Sequence, residues 1–370
     1  MSTSLTNNEE ITVSVLVPVY NTGASLRRCL ESLAAQTCKG LEFICINDGS
    51  TDNSPEELEA WASRDKRFRI IHQPNGGYGK AMNAGLSTVR GAYIGIVEPD
   101  DWIEADMYEN LYTLAINSGA DICKANYCIE RKRGSAPNYR FERFEEGSCV
   151  TPLDLPEYLK GSPSIWSAIY RSDFLKKHNI LFSETPGAAF QDLGFCIRTW
   201  LAAKSICITH IAPYHYWEDN PVSSSRRMED GAWAAYKEIE QLEDVLASIP
   251  HDAALIRSIM VLRIFATLKA DYRLRIRGTI KSFLLKYSHL LKRHFPIETL
   301  QKDYFSKDEW CDIQLIYNTP LLFPRKSRTC ANLVQRICSC RTEAGRRVLR
   351  IMGMHFIIPM RRTTHVKRHK

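Results

Sequence analysis

Apolar, strand-like runs alternate with segments of helical periodicity through the first part of the chain. The β-branched run Val13–Val19 comes first, and apolar residues recur in helical spacing over Leu26–Leu33. Strands that alternate with helices pair in parallel, with the helices packed on the faces of the sheet. We therefore expect an α/β fold with a mostly parallel sheet and flanking helices. The later strand-like runs, each followed by a helical segment, are Leu41–Ile46, Phe68–His72 and Ala92–Val97.

Polar, glycine-rich or acidic residues follow each of these four strand-like runs. In sheets of this kind ligands bind beyond the carboxyl ends of the strands, so these residues are the first candidates for a binding site. Each segment alone also has a structural interpretation, since Asn47–Asp52 is typical of a turn that caps the next helix. Four such segments at one edge of a sheet favour a ligand site. The segments are Tyr20–Asn21, Asn47–Asp52, Gln73–Lys80 and Glu98–Asp101.

The most acidic of these segments is Glu98-Pro-Asp-Asp101. Clustered carboxylates repel one another unless a cation lies between them, and a divalent metal that bridges two phosphates meets this need. The same residues are also suited to cap the helix that is predicted to begin near Glu104. This segment by itself leaves both interpretations open.

Asp48 combines a carboxylate with neighbouring glycines. A carboxylate accepts a hydrogen bond from an imide N–H, which is the group that distinguishes uracil, and glycines let a ring approach the backbone closely. Asp48 is therefore a candidate for binding a nucleotide base.

The composition is that of an ordinary folded chain with room for more than one core. The chain has 370 residues, of which 44% are hydrophobic and 25% are charged, and its formal net charge is +7. Its cysteines form no C-x-x-C pair, and several, including Cys207, fall in apolar segments where a small buried hydrophobe fits. We therefore expect a reducing compartment and no structural zinc. We find no signal peptide, and no apolar run approaches the roughly 20 residues that span a bilayer, which predicts a cytoplasmic protein.

Four motifs together resemble those of family 2 of the inverting nucleotide-sugar glycosyltransferases, which build bacterial surface polysaccharides. The resemblance covers about residues 12–220. It implies a GT-A (Rossmann-like) α/β fold, a UDP-sugar donor and a Mg²⁺ or Mn²⁺ ion. The motifs are Pro18-Val-Tyr-Asn21, Asn47-Asp-Gly-Ser-Thr-Asp52, Asn83-Ala-Gly85 and Glu98-Pro-Asp-Asp101.

The resemblance also implies roles for individual residues. Asp48 would bind the uracil and Asp100 would be the principal metal ligand. Glu98 and Asp101 would flank the ribose or the metal. Further donor-binding residues on the matched motifs and the glycine-rich segment are Pro18, Tyr20, Asn21, Gly76, Gly77 and Asn83.

Two positions depart from the family pattern. The family more often has aspartate at the position of Glu98, which is a modest change in reach. It also often has an arginine where this chain has Met82. The donor phosphates are therefore predicted to rely on Lys80 as well as on the metal.

An inverting transfer needs a base that takes the proton from the acceptor hydroxyl as its oxygen attacks the anomeric carbon. Asp192 is the candidate, at the start of an apparent helix. A carboxylate at a helix N-terminus is also a plain helix cap. The family usually carries Glu-Asp at this position, with the aspartate as the base, and here the pair is Gln191-Asp192. The family position therefore favours the base, with Gln191 a candidate for contact with the acceptor or the diphosphate.

Aromatic residues lie beside polar side chains in Pro213–Ser225. This combination suits a sugar site, because rings stack on the C–H faces of sugars while hydroxyl groups need polar partners. His215 is a candidate for contact with the diphosphate or the acceptor, although a histidine among aromatics is equally typical of packing. Trp166 is predicted either to line the acceptor groove or to belong to the core.

The strand-like pattern stops near residue 226, and two amphipathic helices are predicted at Trp233–Leu246 and Ala254–Leu274. From Arg325 onward the chain is rich in Lys and Arg and contains one acid, Glu343. Apolar residues lie among these basic ones, as in a helix that rests on an anionic membrane surface. A solvated basic tail, or one that packs on its own domain, is the alternative.

We therefore predict a glycosyltransferase domain in residues 1–225, a helical region in residues 226–324 and a basic amphipathic tail in residues 325–370. The predicted activity is metal-dependent transfer of a single hexose or N-acetylhexosamine from a UDP-sugar to a lipid-linked or oligosaccharide acceptor. A single transfer is favoured because processive synthases of this family normally carry transmembrane helices. The enzyme would be cytoplasmic and bound peripherally to the membrane through its tail.

Other function classes fit less well. A Rossmann dehydrogenase would share the alternation, but residues 18–25 contain no G-x-G-x-x-G. A nucleic-acid-binding protein would also be basic, but here the positive charge is concentrated in the tail while the loops are acidic, so we expect no nucleic acid as a partner. A catalytically inactive nucleotide-sugar-binding module on the same fold remains, and the intact acidic motif argues against it.

Overall fold

The computed structural model describes residues 10–188, 190–220, 231–274 and 280–323, together with three short strands nearer the C-terminus. Its contacts divide the chain into two compact units. The first comprises Met1–Ile249 with Leu262–Thr267, and the second comprises Pro250–Val261 with Leu268–Lys370. The predicted boundary after residue 225 falls outside the described residues, so it stays a prediction.

Strands and helices alternate through the first part of the chain, as predicted. The strands of the first unit are β1 (Val13–Val19), β2 (Leu41–Asp48), β3 (Phe68–Gln73), β4 (Tyr93–Ile96), β5 (Trp102–Ile103), β6 (Ile122–Lys124), β7 (Tyr127–Arg131), β8 (Gly134–Asn138), β9 (Cys149–Val150), β10 (Ala168–Arg171), β11 (Ile206–Ile208) and β12 (Tyr214–Trp217). The α-helices in the part of the chain that the structure describes are α1 (Ser25–Ala34), α2 (Ser54–Arg64), α3 (Tyr78–Leu86), α4 (Met107–Ser118), α5 (Glu157–Lys160), α6 (Ser172–Lys177), α7 (Gln191–Ala202), α8 (Gly231–Glu240), α9 (Glu243–Ala247), α10 (Ala254–Leu274), α11 (Ile280–His294) and α12 (Lys307–Asn318).

An eight-stranded sheet forms the core of the first unit, in the order β3-β2-β1-β4-β10-β6-β11-β9. Strand β1 pairs in parallel with β2 and β4, whereas β10 runs antiparallel to β4 and β6. The sheet is therefore mixed, and its parallel half is built from the predicted repeats. Every residue of β1 and β2 is buried, as expected for strands that are covered on both faces.

The strand order reverses direction at β1. The chain adds β2 and then β3 on one side of β1 and returns to the other side for β4. The carboxyl ends of β1 and β4 therefore flank a topological switch point, which is where open α/β sheets bind their ligands. A second sheet, in the order β5-β12-β7-β8, brings the predicted aromatic segment next to the strand that follows the acidic loop.

Helix α1 shows how the sequence pattern becomes packing. Its four apolar residues in helical spacing, Leu26, Cys29, Leu30 and Leu33, are all buried. Burial of each leucine stabilises the fold by about 1.5–3 kcal/mol. The helical spacing in the sequence therefore predicted both the helix and its buried face.

Cys149 and Cys207 form a disulfide between β9 and β11. This corrects the expectation that Cys207 is a free cysteine that serves as a small buried hydrophobe. The two cysteines lie directly opposite each other in antiparallel strands and are separated by 58 residues. Their spacing in the sequence carries no signal for this contact, which depends on how the edge of the sheet is assembled.

The helices predicted after residue 226 are confirmed. Helices α8 and α9 cover most of the first predicted segment, and α10 has the predicted bounds. None of the helices in the described ranges combines the length and the apolar composition that a membrane span needs.

The predicted membrane-surface helix near the C-terminus is wrong for the residues that the structure describes there. Strands β13 (Cys338–Glu343), β14 (Arg346–Ile351) and β15 (Met354–Ile358) pair as an antiparallel sheet. Two residues, one of them glycine, separate consecutive strands, which is the spacing of a β-hairpin. The expectation of a helix rested on the basic and apolar composition and did not take this hairpin spacing into account.

Candidate functional site

The loops after β1 and β2 are joined by hydrogen bonds at the carboxyl edge of the sheet. Asn21 adopts a left-handed conformation with φ of 48°, which places its side-chain oxygen 2.7 Å from the backbone nitrogen of Thr51. The backbone N–H of Asn21 donates to Ser50 Oγ at 3.1 Å. The neighbouring Tyr20 ring is 54% exposed, while Pro18 lies inside the buried strand β1. Of these residues, Tyr20 therefore offers the freest surface to a ligand.

The carboxylate of Asp48 holds the glycine-rich segment after β3. Its Oδ1 accepts hydrogen bonds from Gln73 Nε2 at 2.7 Å and from the N–H of Gly76 at 2.9 Å, and its Oδ2 accepts from the N–H of Gly77 at 2.8 Å. The side chain is only 4% exposed. In this conformation the carboxylate holds the loop in place by hydrogen bonds. The predicted contact with uracil stays a prediction.

The glycine-rich segment packs closely on the segment that precedes α7. Gly77 has φ of 90°, and a Cβ there would lie 2.9 Å from the nitrogen of Gly187. A Cβ on Gly76 would lie 2.4 Å from Cδ of Lys80, whose side chain is exposed. Close packing against backbone atoms and the positive φ therefore require glycine at position 77, whereas Gly76 contacts only the flexible side chain of Lys80, which lies at the loop as predicted.

Asn83 joins α3 to the segment that precedes α7. Its Oδ1 accepts from the N–H of Phe182 and its Nδ2 donates to the carbonyl of Phe182, both at 2.9 Å. The amide is therefore engaged in the fold, and the predicted role of Asn83 in donor binding stays a prediction.

The acidic loop after β4 is held by tyrosine hydroxyl groups. Tyr78 donates to Glu98 Oε1 at 2.7 Å, and the N–H of Glu98 donates to the hydroxyl of Tyr214 at 3.0 Å. The same Tyr214 hydroxyl donates to Asp101 Oδ2 at 2.8 Å. Tyr214 therefore joins the backbone of Glu98 to the side chain of Asp101.

Asp101 and Asp100 differ in their surroundings. Asp101 is 1% exposed, and its second oxygen accepts from the N–H of Trp217 at 2.8 Å, so both oxygens are engaged with β12. Asp100 is partly exposed and accepts from Asn220 Nδ2 at 2.6 Å. Of the two predicted metal ligands, Asp100 is therefore the accessible one and Asp101 holds the loop in place.

Asp192 lies in the first turn of α7, after a left-handed residue, Phe190, with φ of 65°. Its Oδ1 accepts from the N–H of Leu193 at 2.8 Å. The neighbouring Gln191 is buried and donates to Thr185 Oγ1 at 2.9 Å. Gln191 therefore fastens the segment before α7, and Asp192 is the partly exposed acid of the pair.

The carboxyl groups of this site have raised pKa values, mainly because they are buried, although Arg28 acts on Asp100 and Arg263 acts on Asp192 in the opposite direction. Burial raises the pKa of Glu98 to about 8, and repulsion by Asp100 and Asp192 adds to the rise, while the hydrogen bond from Tyr78 opposes it. Burial likewise raises the pKa of Asp100 and the pKa of Asp192. Loss of hydration and mutual repulsion both disfavour the charged form of an acid. A cation at this site would relieve both.

The described residues contain no group of three or more His, Cys, Asp and Glu side chains that is arranged to hold a metal by itself. A metal at the acidic loop would therefore need ligands from a bound molecule as well as from the protein. A nucleoside diphosphate supplies such oxygens.

The structure places His215 and Trp166 in packed surroundings. The ring nitrogens of His215 lie 2.8 Å from carboxylate oxygens of Glu130 and Glu104, and the ring stacks on Trp102 at 5.1 Å. Trp166 is 7% exposed and stacks on the ring of Tyr214 at 4.1 Å, and it also stacks on Tyr216. These contacts correspond to the packing interpretation of both residues, and any contact with acceptor or diphosphate stays a prediction.

Sequence reasoning missed several residues that shape the site. Tyr78 and Tyr214 lie inside the two segments that it singled out, but their hydroxyl groups were not assigned. Arg28 donates to the carbonyl of Asp100 at 3.0 Å, and its guanidinium lies 3.6 Å from the ring centre of Trp102. Nothing in the sequence around Arg28 signals this contact, because the residue comes from α1.

Comparison with known proteins places the chain in a family. Residues 14–178 match the sequence family described as glycosyl transferase family 2. Glycosyltransferase GlyG of Streptococcus pneumoniae serotype 4 is 33% identical over 271 residues, which are 70% of this chain and 87% of GlyG. The chain belongs to glycosyltransferase family 2. The family predicted from the four motifs is thereby confirmed.

Other relatives of this glycosyltransferase match in part. The uncharacterized glycosyltransferase YibD of Escherichia coli K12 is 33% identical over 228 residues, which are 59% of this chain and 64% of YibD. The chain spans 60–64% of the length of this and two further relatives. The crystal structure of S. aureus TarS 1–349 in complex with UDP-GlcNAc has a TM-score of 0.70 at 18% identity, over 95% of this chain and 99% of that one. This likeness confirms the predicted GT-A α/β fold.

Proposed function

We propose that this family 2 glycosyltransferase transfers a single sugar from a UDP-sugar to a hydroxyl group of an acceptor, with inversion at the anomeric carbon. The observation that supports the proposal best is the group of carboxyls Glu98, Asp100 and Asp192, whose pKa values are all raised. Buried acids with raised pKa values at the switch point of an α/β sheet suit a site completed by a bound cation and nucleotide.

A UDP-sugar is the proposed donor. TarS, which shares the fold, has been crystallised with UDP-GlcNAc and with UDP. In this chain the exposed ring of Tyr20 and the side chain of Lys80 lie on the loops where the nucleotide would bind. A hexose or an N-acetylhexosamine is the proposed sugar.

The acidic loop fits a Mg²⁺ or Mn²⁺ ion. Asp100 would hold it, because this carboxylate is partly exposed and hard cations prefer oxygen ligands. Glu98, also partly exposed, would contribute to the charge that attracts it. When bound, the metal would stabilise the negative charge that develops on the departing diphosphate.

Asp192 is the proposed general base. Its carboxylate would take the proton from the acceptor hydroxyl while that oxygen forms a bond to the anomeric carbon. The bond from this carbon to the diphosphate breaks with its electron pair, and UDP leaves. Because burial raises the pKa of Asp192, the carboxylate binds a proton more strongly than an exposed aspartate does.

We propose a lipid-linked or oligosaccharide acceptor in surface polysaccharide synthesis, at the inner face of an anionic membrane. The basic composition from Arg325 onward supports contact with such a surface. Helix α11 adds exposed Lys281, Lys286 and Lys292 and contains no acid. A cytoplasmic, peripherally bound enzyme is the location that suits this acceptor.

Thermal stabilisation by UDP, with and without Mn²⁺, tests the donor and metal site. We expect a metal-dependent rise in Tm that Asp100→Ala loses. Incubation with a panel of UDP-sugars, with release of UDP as the readout, then tests turnover. A wild-type protein that UDP does not stabilise would refute the UDP site, and binding without turnover of any sugar would favour the inactive binding module.

A further inference from the structure

Glu238 is a buried acid on α8 that the proposed chemistry leaves without a role. The residue is 0% exposed. Its Oε1 accepts a hydrogen bond from Ser183 Oγ at 2.8 Å. Its Oε2 is buried and has no hydrogen-bond partner among the described residues. A buried carboxyl oxygen without a partner is costly, so its presence calls for a physical explanation.

Glu238 packs directly against the first turn of α7. A Cβ on Gly194 would lie only 1.9 Å from Glu238 Oε1, so this glycine lets the carboxyl group approach the backbone of α7 as closely as it does. Gly194 comes two residues after Asp192. The carboxyl group of Glu238 therefore contacts the backbone turn that presents the proposed base.

The partner of Glu238 belongs to the wall of the same site. Ser183 precedes Glu184 in the segment that Asn83 fastens to α3. A Cβ on Gly79 of α3 would lie 2.0 Å from the carbonyl oxygen of Ser183. Glu238 thus joins α7, which carries the proposed base, to the segment that packs against α3 and the glycine-rich loop.

Among the described residues, the charged groups that act on Glu238 are Asp192 and Arg198 of α7, and Arg263 of α10 acts on Asp192. Burial raises the pKa of Glu238 to about 7, repulsion by Asp192 adds to the rise, and Ser183 and Arg198 oppose it. The repulsion between Glu238 and Asp192 acts on both, since interacting acids titrate as a coupled pair. The charge of Glu238 therefore depends on pH near neutrality.

We propose that Glu238 is a positioning residue for Asp192, and that its negative charge makes Asp192 hold the proton of the acceptor more strongly. The inference rests on the proposed role of Asp192 as the base. When Asp192 takes up that proton its charge disappears, and its repulsion with Glu238 disappears with it. The ionised form of Glu238 therefore favours proton transfer, while the packing against Gly194 keeps the turn in place.

The kinetic test compares kcat of the wild type and Glu238→Gln one unit below and one unit above the pKa of about 7. Gln keeps the shape and can accept from Ser183, so the two proteins should agree at the lower pH, with equal KM. At the higher pH the variant should be slower, because Gln carries no negative charge that would make Asp192 a stronger base. An equal ratio of kcat at both pH values would overturn the proposal.

A stability test needs no turnover and uses the wild type, Glu238→Gln, Asp192→Asn and the double variant. The folded-state pKa of Glu238 lies above its unfolded value, so the stabilisation is present below the unfolded value and is lost as pH rises through about 7. The Tm of the wild type should therefore fall relative to that of Glu238→Gln over this range. In the Asp192→Asn background the fall should be smaller, because the repulsion is absent.

The outcomes separate this inference from the proposed function. If no UDP-sugar is turned over, the function fails and the stability test still decides whether the two acids are coupled. If transfer occurs but Asp192→Asn leaves the pH-dependent difference in Tm unchanged, the coupling is refuted while the function stands. Glu240→Gln, an exposed change on the same helix, is the matched control and should alter neither kcat nor Tm.

Discussion

The carboxylates on the two sides of the sheet edge differ in their hydrogen bonds and in their pKa values. On the β2–β3 side, Asp48 accepts three hydrogen bonds and is 4% exposed. On the β4–α7 side, Glu98 and Asp192 each accept one hydrogen bond from another residue, and both have raised pKa values. On the first side the hydrogen bonds to the carboxylate come from the neighbouring loop, whereas on the second side burial outweighs the groups that favour the ionised acids. The difference indicates that the β2–β3 side holds the loops in place, and that the β4–α7 side is where bound ligands would supply positive charge.

The largest expected effect comes from Asp192→Asn, which removes the proposed base on the β4–α7 side. Loss of general base catalysis lowers rates by about 10²–10⁴-fold, so kcat should fall by this amount. The stabilisation by UDP and Mn²⁺ should remain, because Asp192 lies on α7 and not on the nucleotide loops. A variant that keeps more than a tenth of the wild-type kcat would show that another group is the base.

Asp48→Ala should instead reduce stability. It leaves the N–H groups of Gly76 and Gly77 and the amide of Gln73 without their acceptor. An unsatisfied buried polar group costs about 1–3 kcal/mol, and we expect a loss of about 3 kcal/mol in the free energy of unfolding. Denaturant titration measures it, with Asp100→Ala as the matched change on the other side of the edge. Equal losses from both variants would contradict the comparison.

The pH dependence of kcat should reveal the raised pKa of Asp192. The base works only when ionised, so the rate should decline as pH falls through this pKa, which lies above the usual value for aspartate, near 3.9. A rate profile at saturating donor and acceptor measures it. An acid limb at the ordinary value would show that the surroundings of Asp192 do not act as the structure indicates.

The smallest effect is expected from Tyr78→Phe, which removes one hydrogen bond to Glu98. A single hydrogen bond contributes about 0.5–1.5 kcal/mol, so stability should fall by about 1 kcal/mol at most. Binding of UDP with Mn²⁺ should change less than in Asp100→Ala. A larger loss of binding in Tyr78→Phe would mean that Glu98, and not Asp100, carries the metal site.

Much of the fold could be predicted because its signals are local. The alternation of strand-like runs and helical spacing gave the parallel half of the sheet, and the same spacing gave the bounds of α10. The hairpin spacing on both sides of β14 is also present in the sequence, but the basic and apolar composition of this segment favoured a helix. The pairing of Cys149 with Cys207 had no local signal, because their contact joins strands that are distant in the sequence.

The candidate site could be predicted only as a set of neighbours. The sequence placed Asn21, Asp48, Glu98 and Asp100 at one edge, because parallel strands end together there. It did not distinguish a carboxylate that serves the fold from one that is open to a ligand. Asp48 and Asp101 proved to have their oxygens engaged, and their predicted ligand contacts remain predictions.

The sequence by itself determined the family, the α/β fold and the edge of the sheet at which the acids gather, since each follows from short-range spacing. Only the tertiary structure decided which donor meets each acid. The hydroxyl of Tyr214 reaches Asp101 from 113 positions away, and Ser183 reaches Glu238 from 55. Such contacts depend on the packing of whole elements, and that packing sets the burial and the neighbouring charges from which each acid acquires its pKa.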